Sequence, residues 1–185
     1  MRDLSLHVMD LVQNSITAGA TLISIEFMVE ETIGRLVFTL CDNGRGMDAE
    51  MVRSVQDPFV TTRTTRKVGL GIPLFKANAE LTGGSLELES SVGKGTKLQA
   101  IFYYDSIDMK PLGDLAGTIA TLVNANPETP DFVFACRTQR GESIFDTRAI
   151  KQVLKGVRLD EPEVASWIHQ TLKEEIERLF GGILQ

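Results

Sequence analysis

Asp42 stands where an apolar run ends. Leu36, Val37, Phe38 and Leu40 read as a buried strand, and the acid sits at the point where that strand leaves the core. Gly44 and Gly46 follow on either side of Arg45, letting the backbone turn tightly and approach a ligand with no Cβ in the way. Alone, this pattern is a plain turn. Three further stretches give it another meaning. Asp10 and Asn14 are four residues apart on an amphipathic segment, so they stack on one helix face, either solvated or turned into a pocket. Thr61, Thr62, Arg63, Arg66 and Lys67 form a stretch without helical or strand period, with Arg53 just upstream. This is a local positive field in a chain of net charge −6. It is either a solvated basic loop or a lid over anionic phosphates, and its place before a glycine-rich turn favours the lid. Gly69 and Gly71 then open a helix running to about Thr82, and backbone N–H groups at such a start suit a phosphate.

Two commoner phosphate motifs are excluded. Leu74 occupies the third glycine position of a dinucleotide fingerprint, and no strand immediately precedes it. Around Gly93-Lys94-Gly95-Thr96, Leu88 stands where a Walker loop needs glycine and Gly95 where it needs Ser or Thr.

The elements that must position these residues follow from periodicity. Leu4, Val8, Leu11 and Ile16 predict a helix over 3–18, stopped by Gly19. Ile23, Ile25, Phe27 and Val29 alternate on one face of a strand over 21–30, and a turn at 31–35 leads into the strand that ends near Cys41. Asp48 caps a short helix to Val55. Two strands, 85–90 and 96–104, make a hairpin. Beyond Asp105 the pattern predicts a helix over 111–124, strands over 131–138 and 142–145, a short helix from Asp146 and a last helix over 161–180. That helix has a capping box of Asp160 and Glu163, and a stripe of Val164, Trp167, Ile168, Leu172, Ile176, Leu179 and Phe180.

Composition bounds the function classes. With 185 residues the chain fits one domain or a domain with a small addition, and 43% apolar and 24% charged residues describe a globular protein. The acidic balance argues against a nucleic-acid or membrane binder, and no apolar run is long enough to span a bilayer. Arg2 and Asp3 open straight into an amphipathic segment with no signal-peptide pattern. Cys41 and Cys136 lack metal-ligand spacing and read as reduced thiols of a cytoplasmic protein.

Together, L-V-Q-N-S-I-T-A-G-A, D-N-G-R-G-M, D-P-F-V-T-T-R followed by V-G-L-G-I, and G-K-G-T resemble, in order, the motifs of the GHKL ATP-binding family. Histidine kinases, type II topoisomerases, MutL-type repair proteins and the large heat-shock chaperones share that fold. The resemblance covers about residues 3–105 and implies an α+β, two-layer α/β sandwich (the Bergerat fold, a mixed sheet with helices on one face). Residues 1–105 would be the ATP-binding domain and 106–185 a small C-terminal α+β extension. It implies ATP and Mg²⁺ as cofactors, with Asn14 holding the metal through its side-chain oxygen. Asp42 would accept from the adenine amino group, and Thr96 would complete that contact through water. Gly69, Leu70 and Gly71 would cradle phosphates, with Thr61, Thr62, Arg63, Arg66 and Lys67 in the lid. Gly44 and Gly46 would allow close approach. Asp10 stands where hydrolytic members carry Glu, and is the candidate catalytic base one methylene short. Lys67-Val68 replaces the Gly-Thr common in kinases.

The first motif begins almost at residue 1, so no upstream hairpin carrying a phosphoacceptor histidine fits. His7 reads as packing or pocket-lining, and His169 as a solvent-side residue. The expected function is therefore a histidine-kinase-like regulatory protein that phosphorylates or regulates a partner protein in trans. The alternatives are a MutL-like, ATP-gated interaction switch with slow hydrolysis, and a nucleotide-binding structural subunit without chemistry. Residues beyond 105 loosely resemble the tails of small stand-alone kinase-like proteins associated with iron hydrogenase systems. That implies a hydrogenase-associated partner, with docking or homodimer formation through the last helix.

Overall fold

The computed structural model describes residues 3–56 and 71–184. The first helix, α1 (Leu4–Thr17), begins where the Asp3 side chain accepts from Leu6 N–H at 3.1 Å and ends before Gly19, whose φ of +77° turns the chain toward β1. Strand β1 (Leu22–Glu30) alternates strictly between buried and half-buried residues. A single 3₁₀ turn at Glu31–Ile33 joins it to β2 (Arg35–Asp42). Then follow α2 (Ala49–Ser54), capped by Asp48 as expected, α3 (Gly71–Leu81), and the hairpin β3 (Ser85–Ser91) and β4 (Gly95–Tyr103). The chain continues with α4 (Leu115–Ala125), β5 (Asp131–Thr138), β6 (Gly141–Asp146), α5 (Thr147–Leu154) and α6 (Pro162–Phe180).

The strands form one mixed sheet in the order β3-β4-β2-β1-β5-β6, an α+β architecture. Neighbours are antiparallel except β1 and β5, which run parallel from Leu22–Asp131 to Met28–Arg137. A parallel neighbour needs a crossover, and the segment carrying α4 supplies it. Residues 106–184 thus add two strands to the same sheet and helices to the same core.

The core lies between the helices and the sheet face bearing Ile23, Ile25, Phe27, Leu36, Phe38 and Leu40. Phe27, Phe38, Phe75 and Phe102 are all fully buried, and adjacent rings along Phe27–Phe38–Phe75–Phe102 stand 5.0–5.2 Å apart in tilted or edge geometry. This chain of rings fixes α3 to the sheet. Truncating one of them to Ala costs about 3–5 kcal/mol.

Two expectations for α6 need correction. No capping box forms: the helix starts at Glu161 without a side-chain cap and with Pro162 in its first turn, while the Asp160 carboxylate is held by Arg158 at 2.8 and 2.9 Å. A charged pair two residues apart satisfies Asp160 better than a backbone N–H does. Trp167 is not in the buried stripe and is 52% exposed. At 100° per residue it falls about 140° around the helix from Leu172, so it cannot share that face. No helix among the described residues is long and apolar enough to cross a membrane.

Candidate functional site

The site is built at the end of β2. Asp42 pairs with Ile23 of β1 and Thr96 of β4 in the ladder, on the same face as Leu40 and Leu98. The core thus ends in polar side chains. Asp42 is half-buried, and both its oxygens are engaged: Ser15 Oγ donates to Oδ2 at 2.7 Å and the Gly44 N–H donates to Oδ1 at 2.9 Å. A carboxylate has about four acceptor positions, so lone pairs remain for a ligand.

The loop after Asp42 is held on three sides. Asn43 Oδ1 accepts from Thr21 and Leu22 N–H at 2.8 and 2.9 Å, Arg45 N–H donates to Ala18 O, and Gly93 N–H donates to Arg45 O. Gly46 has φ +67°, and a Cβ there would lie 1.9 Å from Ser91 O. Gly95 has φ +94°, and its Cβ would lie 1.9 Å from Asp42 O. Both glycines bring the loop and hairpin backbones into contact, which no other residue permits. At Gly46 the close approach is therefore to the protein's own hairpin.

Behind this loop, Met47 N–H donates to Ser90 Oγ at 2.9 Å, Ser90 Oγ donates to Gly95 O at 2.8 Å, and Ser90 and Thr96 hydroxyls are 2.9 Å apart. A cavity of about 680 Å³ opens in front of it. Its apolar walls are Leu40, Leu88, Leu98, Met47, Met51 and Ile72, and its polar ones include Asn14, Ser15, Asp42 and Thr96. That is an apolar slot with a few fixed polar groups at one end, of the size and character of a small-molecule site.

Asp10 and Asn14 lie exposed on α1 beside the start of α3. A Cβ on Gly71 would be 3.6 Å from Asp10 Cβ and 4.0 Å from Asn14 Nδ2. The structure thus brings Asn14, Asp42, Gly46 and Thr96 to one cavity, with Gly44 holding Asp42 and Asp10 at the α3 start. Thr61, Thr62, Arg63, Arg66, Lys67, Gly69 and Leu70 lie outside the described residues. His7 does not line the cavity: it is 1% exposed and its Nε2 meets Asn78 Nδ2 at 2.8 Å. His169 is exposed on α6.

Sequence reasoning passed over Ser15 and Ser90. Each left a signal: Ser15 is a polar residue four positions after Leu11 on the buried stripe of α1, and Ser90 continues the inward alternation Leu86, Leu88 of β3. A hydroxyl on an apolar face needs a partner.

Among curated proteins, the chain is 35% identical over 80 residues to the sensor kinase CckA of Brucella abortus (strain 2308), covering 43% of this chain and 8% of that one. It is 27% identical over 92 residues to sporulation kinase C of Bacillus subtilis (strain 168), covering 50% and 21%. The chain spans about a fifth or less of the length of these relatives. Among solved structures, the crystal structure of the N terminal domain of a DNA repair protein matches 98% of this chain and 58% of that one, with a TM-score of 0.53 at 14% identity, a likeness of fold. The family model for histidine kinase-, DNA gyrase B- and HSP90-like ATPases matches residues 2–105, more than half of the chain, and the protein belongs to that family.

Proposed function

We propose that this chain binds Mg²⁺-ATP in the cavity beside Asp42 and acts as a histidine-kinase-like regulatory protein that phosphorylates or regulates a partner protein in trans. One observation carries the reading: a carboxylate, held by Ser15 and Gly44 with lone pairs to spare, ends a slot walled by Leu40, Leu88 and Leu98. Such a group accepts from the exocyclic amine of adenine and repels a carbonyl oxygen in the same place. Leu40, Leu88 and Leu98 offer the ring a dry surface.

Asn14 would supply a hard oxygen for magnesium beside Gly71 at the α3 start, and the N–H groups of Gly69, Leu70 and Gly71 would be offered to phosphate oxygens. Among the described residues, no three His, Cys, Asp or Glu side chains come together as a metal cage. Asn14 would thus be the protein's ligand to the ion, which when bound would supply charge neutralisation at the phosphates. Arg63, Arg66 and Lys67 neutralise the tail, Asp10 accepts a proton from an attacking water or hydroxyl, and residues 106–185 serve as the accessory region facing the partner.

The test is calorimetric titration with Mg²⁺-ATP, wild type beside Asp42→Asn, followed by phosphate release in the same samples. Wild-type binding lost on substitution supports the reading. Absent binding, or binding indifferent to Asp42, ends it. Phosphate transfer to a co-purified partner on addition of radiolabelled ATP tests the regulatory half.

A further inference from the structure

The hydroxyl of Ser90 has one proton and two acceptor positions, and all three are engaged. Gly95 O can only accept, so the Ser90 proton goes to it at 2.8 Å. Met47 N–H can only donate, so it fills one acceptor position at 2.9 Å. The contact with Thr96 at 2.9 Å then has one solution: Thr96 donates its proton to Ser90. Thr96 lines the cavity and Ser90 does not. With its proton committed behind the wall, Thr96 shows the cavity lone pairs alone.

The same holds next to it. Ser15 gives its proton to Asp42 Oδ2, and the Asp42 carboxylate has no proton to give. Asp42 and Thr96 are direct partners across β2 and β4. The inner end of the cavity is thus a wall of acceptors.

We propose that Ser90 is a specificity-determining positioning residue: by holding the Thr96 proton it keeps Thr96, beside the Asp42 carboxylate, an acceptor only. The site thereby takes a base whose edge carries an exocyclic amine and rejects one carrying an oxygen there. This rests on the nucleotide reading above. It adds a residue outside the cavity that decides which base is admitted, and a reason why Thr96 cannot rotate its hydroxyl to accommodate an oxo group.

The probes are ATP and ITP with Mg²⁺, whose bases carry an amine beside a bare N1 against an oxygen beside an N1–H, titrated calorimetrically into the full chain. Wild type prefers ATP by on the order of a hundredfold, the upper worth of one hydrogen bond to a charged group. Ser90→Ala frees the Thr96 hydroxyl to donate, and the ATP-to-ITP preference narrows about tenfold. Ser90→Thr keeps a hydroxyl in place and retains the wild-type preference. A purely structural Ser90 would weaken both nucleotides equally, and an unchanged ratio in Ser90→Ala overturns the inference while leaving the ATP site standing. Should Ser90→Ala not fold, Thr96→Val, which keeps the shape and removes the oxygen, must change the ratio; an unchanged ratio there overturns it equally. Failure of wild type to bind either nucleotide overturns the nucleotide reading, and this inference with it.

Discussion

Ser15 Oγ stands 2.7 Å from Asp42 Oδ2, joining the buried face of α1 to the end of β2 across 27 residues of sequence. The helix that carries Asn14 beside the start of α3 thereby also orients the carboxylate at the end of β2. Ser15→Ala removes one of two donors from a half-buried carboxylate. A hydrogen bond to a charged group is worth about 1.5–3 kcal/mol, of which partial exposure leaves about half. Affinity for Mg²⁺-ATP falls about tenfold in calorimetry, while Ser15→Thr keeps it within about threefold. Equal affinity in wild type and Ser15→Ala would show that Gly44 N–H alone orients Asp42.

His7 makes a second bridge, from α1 to α3 through Asn78. Burial pushes the imidazole down from 6.5 to about 4; the nearby Lys110 cation adds to this, and Asp3 and Asp10 oppose it without prevailing. The unfolded chain binds a proton near pH 6.5 that the folded protein refuses until about pH 4. Stability from this residue is therefore full above pH 6.5 and is lost as pH falls toward 4, by about 3 kcal/mol over the window. Asp3 and Asp146 have lowered values and start from 3.8, so their contribution is lost at lower pH. Urea unfolding at pH 7.5 and 5.0 checks this. Wild type loses stability between the two, and His7→Gln, which cannot titrate, loses markedly less.

Gly46 and Gly93 both have positive φ, +67° and +77°, but different neighbours. A Cβ on Gly46 meets Ser91 O at 1.9 Å, whereas one on Gly93 meets nothing within 4 Å. Backbone cannot step aside as a side chain does. Gly93→Ala costs about 1 kcal/mol of left-handed strain, and Gly46→Ala costs more than about 2 kcal/mol and opens the loop against the hairpin. Urea midpoints separate the two. Equal midpoints would mean that the loop moves as a unit.

What the sequence disclosed depended on whether a property was local. Alternation put Ile23, Ile25 and Phe27 on the core face of β1, and the Asp48 cap on α2, since both follow from a few adjacent residues. Hydrogen bonds across the fold were not local. That Ser15 reaches Asp42 and that Ser90 engages Thr96 depend on β2, β3 and β4 lying side by side, a pairing no single stretch encodes. The parallel placement of β5 on β1 was hidden for the same reason. In α6 the local signal misled. Asp160 and Glu163 have capping-box spacing, but Arg158 reaches the carboxylate first.

If Asp10 is the base of the proposed site, substituting it separates binding from turnover. It is exposed, lies beside Gly71 at the α3 start and is not part of the cavity wall that holds Asp42. Under the proposed function a side chain so placed faces the phosphate end, with a carboxylate one methylene shorter than a glutamate's. Asp10→Asn leaves Mg²⁺-ATP affinity within about threefold and lowers phosphate release about a hundredfold, the usual worth of a positioned base. Asp10→Glu restores the missing reach and raises release above wild type. A loss of binding in Asp10→Asn as large as that in Asp42→Asn would place Asp10 among the residues that hold the nucleotide. Unchanged release in both variants would move the proton acceptor to another residue or to the partner protein.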